Sequence, residues 1–303
     1  MTGLIRKALS GFYYVVSEGR EYECRARGLF RKEEVTPLVG DRVECAPEAD
    51  GRGCVTDILP RKNEFARPPL ANLDQLFLVA AVADPAPSPL VLDKLITVCE
   101  YKEIEPVLVI TKTDLGDPSP LQKTYERAGF LVLTVCNLEA DEQGFAHVRE
   151  RLAGKVSGFC GNTGVGKSSL LNRLYPGLAL ETGDISQKLG RGRHTTRHVE
   201  LYPVEGGMVA DTPGFGTMEL SRYEVIRKEQ LPYCFREFEP YLGKCRFQDC
   251  AHVTETGCAV LEALRAGEIA PSRHESYRAL YEEAKLLKDW ELDSRRKNRG
   301  SGG

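Results

Sequence analysis

The sequence predicts an α/β protein, with an all-β module ahead of its core and a mainly helical, cysteine-bearing module behind it. Three observations carry this. The first ~60 residues break into short alternating segments bounded by turn residues. From about Asn72 to Leu220, continuous apolar runs alternate with longer stretches of helical spacing. Beyond that the apolar runs stop, and a Cys/His patch precedes an amphipathic helix.

In the first module, Phe12-Tyr13-Tyr14-Val15-Val16 leads to a Ser17-Glu18-Gly19 turn. Tyr22, Cys24 and Ala26 then alternate with Glu23, Arg25 and Arg27. Val39-Gly40-Asp41 turns into Arg42-Val43-Glu44-Cys45, and Gly53-Cys54-Val55 runs toward Leu59-Pro60. Short strands with regular turns imply a small barrel or sandwich. The polar, proline-bearing stretch from Arg61 to Pro69 reads as a linker.

In the core, Leu76 to Val82, Pro106 to Ile110, Leu131 to Val135 and Val156 to Cys160 are apolar runs. Leu90 to Glu100 and Gly144 to Leu152 have helical spacing. Buried strands alternating with helices imply a parallel sheet covered on both faces. In the tail, Pro271 followed by Ser272 and Glu275 suggests a capping box. Tyr277, Leu280, Tyr281, Ala284 and Leu287 would share one face of the helix that follows. The expected modules are therefore residues 1–62, 63–220 and 221–303.

Composition excludes several classes. The 303 residues carry 41 Lys+Arg and 44 Asp+Glu, a net charge of −3. No run of about 18 apolar residues suggests a membrane span, and the N-terminus does not read as a secretory signal. Ten cysteines in a chain of this length point to thiols or a metal site rather than a disulfide scaffold. A cytoplasmic location is expected.

Gly161-Asn162-Thr163-Gly164-Val165-Gly166-Lys167-Ser168 matches G-x-x-x-x-G-K-S/T. Glycines let the backbone wrap a phosphate chain, and the N–H groups from Asn162 to Ser169 would face its oxygens. Lys167 would reach the β- and γ-phosphates, and the Ser168 hydroxyl would ligate Mg²⁺. Thr111-Lys112-Thr113-Asp114 follows an apolar run and resembles the N-K-x-D guanine motif. A carboxylate at Asp114 accepts from guanine N1–H and the 2-amino group together, a pair that adenine lacks. Thr111 stands where most such motifs have Asn, whose amide braces neighbouring loops. Asp211-Thr212-Pro213-Gly214 has the D-x-x-G pattern: Asp211 would hold Mg²⁺ through water, and the Gly214 N–H would sense the γ-phosphate. In Gly192-Arg193-His194-Thr195-Thr196-Arg197, Thr196 is the favoured switch threonine over Mg²⁺, with Thr195 the alternative.

The order of these motifs is permuted. The guanine loop comes first, the phosphate loop second and D-x-x-G last. Nucleotide loops sit at strand ends wherever the chain is cut, so this order is physically permissible. It also leads the D-x-x-G switch straight into the tail, so the nucleotide state could move the tail directly.

Cys245-x₄-Cys250-x-His252-x₅-Cys258 offers three thiolates and one imidazole, which suits one closed tetrahedral Zn²⁺ site of structural kind. Cys234 is a bystander that could replace one ligand, and Cys99, Cys136 and Cys160 read as small buried hydrophobes.

A barrel, a permuted GTP-type core and a Cys/His tail together closely resemble the RsgA (YjeQ/YloQ) family of circularly permuted GTPases. The resemblance covers nearly the whole chain. Arg27-Gly28-Leu29-Phe30-Arg31 followed by Pro37-Leu38-Val39-Gly40-Asp41 is similar to that family's OB-fold barrel. The resemblance implies GTP hydrolysis to GDP, stimulated by the small ribosomal subunit, and a role late in that subunit's maturation. It implies the small subunit and its rRNA as partners; no membrane partner and a monomer are expected.

Phe215 stands where Ras-type enzymes place a water-orienting Gln. His194 is the candidate to orient water instead, the other reading being an RNA-facing or solvent-facing side chain; catalysis is assigned to His194, Thr196 and Lys167. Net charge hides local patches: Lys188, Arg191, Arg193 and Arg197; Arg295, Arg296, Lys297 and Arg299; and Arg20, Arg25, Arg27, Arg31 and Lys32. With Tyr22 and Phe30 as stacking aromatics, the barrel is an expected RNA surface. The competing readings are an ATP-using P-loop enzyme, and an RNA-binding zinc protein with weak or regulatory nucleotide binding.

Overall fold

The computed structural model describes residues 1–28, 30, 35–48, 51–65, 68–138, 141–176, 199–211 and 225–287. The expectations for His194, Thr195, Thr196, Gly214, Phe215, Arg31 and Lys32 lie outside these residues. So do those for the basic runs of 188–197 and 295–299.

The barrel is built from β1 (Thr2–Leu9), β2 (Phe12–Ser17), β3 (Arg20–Ala26), β4 (Arg42–Pro47) and β5 (Arg52–Ile58). The strand order is β1-β2-β3-β5-β4, and β4 returns to pair with β1, which closes the ring. Closure removes free edges from a small sheet. Alternation puts Ile5, Val15, Cys24, Val43 and Val55 inside, all fully buried. Phe30 is also buried in this core, 6% exposed, and Tyr22 packs partly against it. Phe30 is therefore buried rather than presenting a stacking surface. Arg20, Arg25 and Arg27 are exposed, with the Arg25 guanidinium 4.9 Å from the centre of the Phe12 ring.

The stretch read as a linker is instead tied down. Arg61 donates to both carboxylate oxygens of buried Asp41 at 2.7 Å and to the Thr36 carbonyl. Strands β6 (Glu64–Phe65) and β7 (Leu70–Ala71) pair with each other, and Phe65 and Leu70 are buried. Polar residues here serve fixed partners rather than solvent, which composition does not distinguish.

The core sheet comprises β8 (Gln75–Ala81), β9 (Glu105–Thr111), β10 (Leu131–Val135), β11 (Val156–Gly161), β12 (Glu200–Val204) and β13 (Gly207–Asp211). Its order is β10-β9-β8-β11-β13-β12, parallel except for β12. Every residue of β8 is buried. Leu76, Leu78 and Ala80 join one apolar cluster, and Phe77, Val79 and Ala81 join another. Burial on both faces explains why these strands read as unbroken apolar runs. Helices α1 (Pro89–Tyr101), α2 (Ser119–Arg127), α3 (Glu142–Leu152) and α4 (Lys167–Leu174) connect the strands. β12 also pairs with β1 at Lys7 and Glu200, so barrel and core share one continuous sheet.

The tail contains α5 (Ala259–Arg265), α6 (Pro271–Lys285) and two short 3₁₀ segments, Leu231–Cys234 and Arg236–Tyr241. The expected capping box is not formed. Ala270 is the N-cap of α6 and no side chain caps it, because Pro271 takes the first helical position and shifts Ser272 inside. The apolar face is as expected, with Tyr277 and Leu280 buried. Two charged groups fix this region against the core. Arg273, fully buried, pairs with Asp93 of α1 at 2.6 Å and with Glu237 at 2.6 Å. Arg236 pairs with Glu100 at 2.8 Å and Glu105 at 2.9 Å. A swing of the whole tail would part buried Arg273 from Asp93, so such motion is costly.

Candidate nucleotide and metal sites

Loops following β8, β9, β10 and β11 gather at the carboxyl edge of the parallel strands, where open α/β sheets bind ligands. The phosphate loop connects β11 to α4. Gly164 and Gly166 adopt φ of +84° and +86°, a region that suits glycine. A Cβ at Gly166 would lie 2.8 Å from the Asn137 amide nitrogen and would displace that side chain. Gly166 caps α4 and Lys167 opens it, which directs the first-turn N–H groups into the loop. Ser168 follows Lys167 in this first turn and is half-buried. Asn162, Thr163 and Gly164 form the exposed mouth, and Val165 is buried beneath.

Thr111 is fully buried at the end of β9. Its hydroxyl donates to the Val165 carbonyl at 2.5 Å and lies 3.3 Å from the Ala80 carbonyl. The threonine thus makes the brace between guanine and phosphate loops that an Asn amide was expected to supply. Thr111→Val removes that brace and leaves the Val165 carbonyl without this donor. GTP affinity should fall about five- to tenfold, the worth of roughly 1 kcal/mol. Equilibrium titration with a fluorescent GTP analogue checks this, and unchanged affinity would remove the brace from the account.

Lys112 sits in the left-handed region with its ammonium on the Asp84 carbonyl. Thr113–Leu115 form one 3₁₀ turn. Asp114 is exposed, and its carboxylate accepts from the Cys136 thiol at 3.5 Å. The loop after β10 is a part of the site that motif reading missed. Its Asn137 side chain donates to the Gly166 carbonyl at 3.2 Å. Arg173 of α4 holds the loop through the carbonyls of Cys136 and Asn137, at 3.3 and 2.9 Å. No contiguous motif announces these residues; their position after the next parallel strand was the available signal. Cys99 and Cys160 are fully buried. Burial pushes the Cys160 thiol up to about 12 even though Lys167 pulls it down, and burial raises Cys99 well above its ordinary value, so both stay neutral. Asp211 ends β13, with its backbone paired to Glu200.

In the tail, the Cys245, Cys250, His252 and Cys258 ligand atoms lie within 4.8 Å of one another. His252 Nδ1 is 3.5 Å from Cys245 Sγ and 3.4 Å from Cys258 Sγ, and the two sulfurs are 3.9 Å apart. With metal–sulfur bonds of ~2.3 Å and metal–nitrogen bonds of ~2.1 Å, tetrahedral edges are ~3.8 and ~3.6 Å. The donor set fits one tetrahedral metal ion with no position left for water. His252 takes a positive φ of 58° to enter the cluster, and burial holds its imidazole below the ordinary value, in the neutral ligating form. The surrounding supports were not legible from spacing. The Glu255 carboxylate accepts from the N–H groups of Ala251, Val253 and Thr254. Burial would raise Glu255, but these donors prevail and hold it below the usual carboxylate range. His274 lies 2.8 Å from the His252 carbonyl, and the Tyr277 hydroxyl donates to the Ala251 carbonyl at 2.7 Å. Cys234 is buried and bonded to the Gln230 carbonyl, apart from the cluster, with its thiol pushed up to about 12 by burial.

Comparison with known proteins agrees with this architecture. Residues 58–221 match the family model described as RsgA GTPase, and residues 2–55 match the RsgA N-terminal domain. Proteins named small ribosomal subunit biogenesis GTPase RsgA from Geobacillus thermodenitrificans and Geobacillus kaustophilus are each 47% identical over 292 residues, covering 94% of this chain and 98% of the relative. The crystal structure of YloQ, described as a circularly permuted GTPase, superposes with a TM-score of 0.79 at 36% identity, covering 95% of this chain and 96% of that one. YjeQ from Thermotoga maritima gives the same score and identity, covering 95% and 99%. Matched over nearly its whole length by relatives that share its barrel and its permuted core, the chain belongs to the RsgA family of GTPases.

Proposed function

We propose that this chain hydrolyses GTP to GDP and phosphate on the small ribosomal subunit, is stimulated by that subunit, and assists its late maturation. The observation that carries the nucleotide half is the Thr111 bridge, which joins a guanine-type loop to a phosphate loop in one braced cradle. The partner half rests on the relatives named for small-subunit biogenesis. The alternative of an RNA-binding metal protein with a vestigial nucleotide fold finds no support in a cradle whose Lys167, Ser168 and bracing contacts are all in place.

In this reading Thr111 to Asp114 select guanine, and Gly161 to Ser169 wrap the phosphates. Lys167 steadies the β- and γ-oxygens as charge moves in the transition state. Ser168 and Thr196 would hold Mg²⁺, with Asp211 acting through water, and the ion would supply positive charge against the negative charge developing on the phosphates. Gly214 would sense the γ-phosphate. His194 is proposed to orient the attacking water, since Phe215 cannot. The Cys₃His cluster is proposed to hold one structural Zn²⁺ that ties the loop of 245–258 to α5 and α6. The proposed modules are residues 1–62, 63–220 and 221–303, in a cytoplasmic monomer that contacts rRNA through the exposed arginines of the barrel. Among the described residues no helix is long and apolar enough to cross a membrane.

Steady-state GTP hydrolysis should be slow for the isolated protein and rise strongly on adding small subunits. Fast hydrolysis without a partner would overturn this reading. Metal analysis of freshly purified protein should return about one zinc per chain, and Cys258→Ser should lose it along with thermal stability. Full-length protein purified without zinc would remove the metal assignment.

A further inference from the structure

The barrel and the nucleotide core meet at one carboxylate. Glu200 opens β12, four residues after Thr196 in sequence. On one side its backbone pairs with Lys7 of barrel strand β1, and on the other with Asp211 at the end of β13. Both of its oxygens are taken by the barrel. Arg6 Nη1 lies 2.9 Å from Oε1, and Lys7 Nζ lies 3.1 Å from Oε2. The Glu200 side chain is only 17% exposed, and Arg6 is held in turn by Glu21 at 2.6 Å.

This double grip needs an irregular strand. Successive side chains of a regular strand point to opposite faces, so neighbours do not normally share one carboxylate. In β1 the register runs Ile5 to Val15 and then Lys7 to Tyr14, with Arg6 skipped as a bulge. A bulge re-aims a side chain, and here it brings Arg6 and Lys7 to the same acid. Below them, Val199 and Leu201 are buried in the apolar cluster that also contains Ile5 and Val15. Barrel strand and β12 are therefore joined by charge above and by packing below.

We propose that Glu200 is a positioning residue that couples the barrel to the nucleotide site. A load on β1 from a bound subunit is transmitted through Arg6 and Lys7 to β12, and thence to the backbone of Asp211. The proposal rests on the function proposed above and adds the route by which the partner acts. Where the subunit alters nucleotide affinity by this route, the nucleotide state alters subunit affinity by the same factor.

The test compares wild type, Glu200→Gln and Arg6→Met in the full-length protein with purified small subunits at saturating concentration. Basal turnover and GTP affinity of Glu200→Gln should stay within about twofold of wild type. Stimulated turnover should drop by about fivefold or more, within the usual range of coupling between sites. The ratio of subunit affinities with a non-hydrolysable GTP analogue and with GDP should shrink toward unity, which simple loss of stability would not produce. Arg6→Met, broken from the barrel side, should act alike, and the double variant should lose little more than either single one. Stimulation retained within twofold in both single variants would overturn the relay while leaving the proposed function intact. Wild type that is itself unstimulated would overturn both.

Discussion

Arg273→Leu should lower stability by about 3–5 kcal/mol, the cost of stranding buried charge. Arg273 is fully buried and its partners Asp93 and Glu237 are 0% and 5% exposed, so no solvent takes its place. Its guanidinium also lies 4.6 Å from the Phe235 ring and 5.3 Å from the Phe130 ring, which exclude water. Burial alone would lower the Arg273 guanidinium, but Asp93 and Glu237 outweigh it and raise it. Burial raises the Asp93 carboxyl even with the arginine beside it, so the acid is already strained toward its neutral form. Thermal unfolding should show a drop on the order of 10 °C, using about 2–4 °C per kcal/mol for a large domain. Adding Asp93→Asn to the variant should recover part of the loss. Arg236→Leu is the control. Arg236 is 29% exposed, so solvent screens its pairs with Glu100 and Glu105 and the change should cost no more than about 1 kcal/mol. Equal losses for the two arginines would show that burial does not decide the effect.

Asp114→Asn should weaken GTP binding about 100-fold or more and shift preference toward xanthosine triphosphate. A carboxylate accepts two charge-assisted hydrogen bonds from guanine N1–H and the 2-amino group, each of roughly 1.5–3 kcal/mol. An Asn amide offers one acceptor and one donor group, which suits the 2-carbonyl of xanthine better than a 2-amino group. The side chain is exposed at the loop surface, so the substitution should leave folding intact. Competition titrations with GTP, ATP and xanthosine triphosphate read the result. Unchanged GTP affinity would detach this loop from base selection and revive the ATP-using reading.

Chemistry carried by contiguous residues was legible in the sequence. The phosphate loop, the guanine loop and the Cys₃His set each occupy a short stretch of chain. Their spacing encodes local geometry: glycines at positive φ, a lysine at a helix start, four candidate ligands within one loop. The barrel strands and buried core strands were legible for the same reason, since period two and unbroken apolar runs are local patterns. Elements that depend on distant partners were misread. Phe30 among arginines resembled a stacking residue, yet it is buried. Arg61 to Pro69 resembled a linker, yet Arg61 serves Asp41 across the fold. Ser272 and Glu275 had the spacing of a capping box, but the preceding proline set the helix start two residues earlier. Arg273 and His274 fall in the phase of the apolar stripe on α6, the one sign in sequence that polar groups there have buried partners.

By itself the sequence determined the three-part organisation, the permuted order of nucleotide motifs and the identity of the metal-type ligands. Those follow from side-chain chemistry and backbone freedom at fixed short spacing. Only the tertiary structure decided that Thr111 braces the phosphate loop, that Cys136 and Asn137 complete the cradle, and that Arg273 fixes the tail to the core. It also decided that barrel and core share one sheet through Lys7 and Glu200. The physical reason is common to all four. Each contact joins residues far apart in the chain, and its partner is chosen by packing and by the need to satisfy buried polar groups.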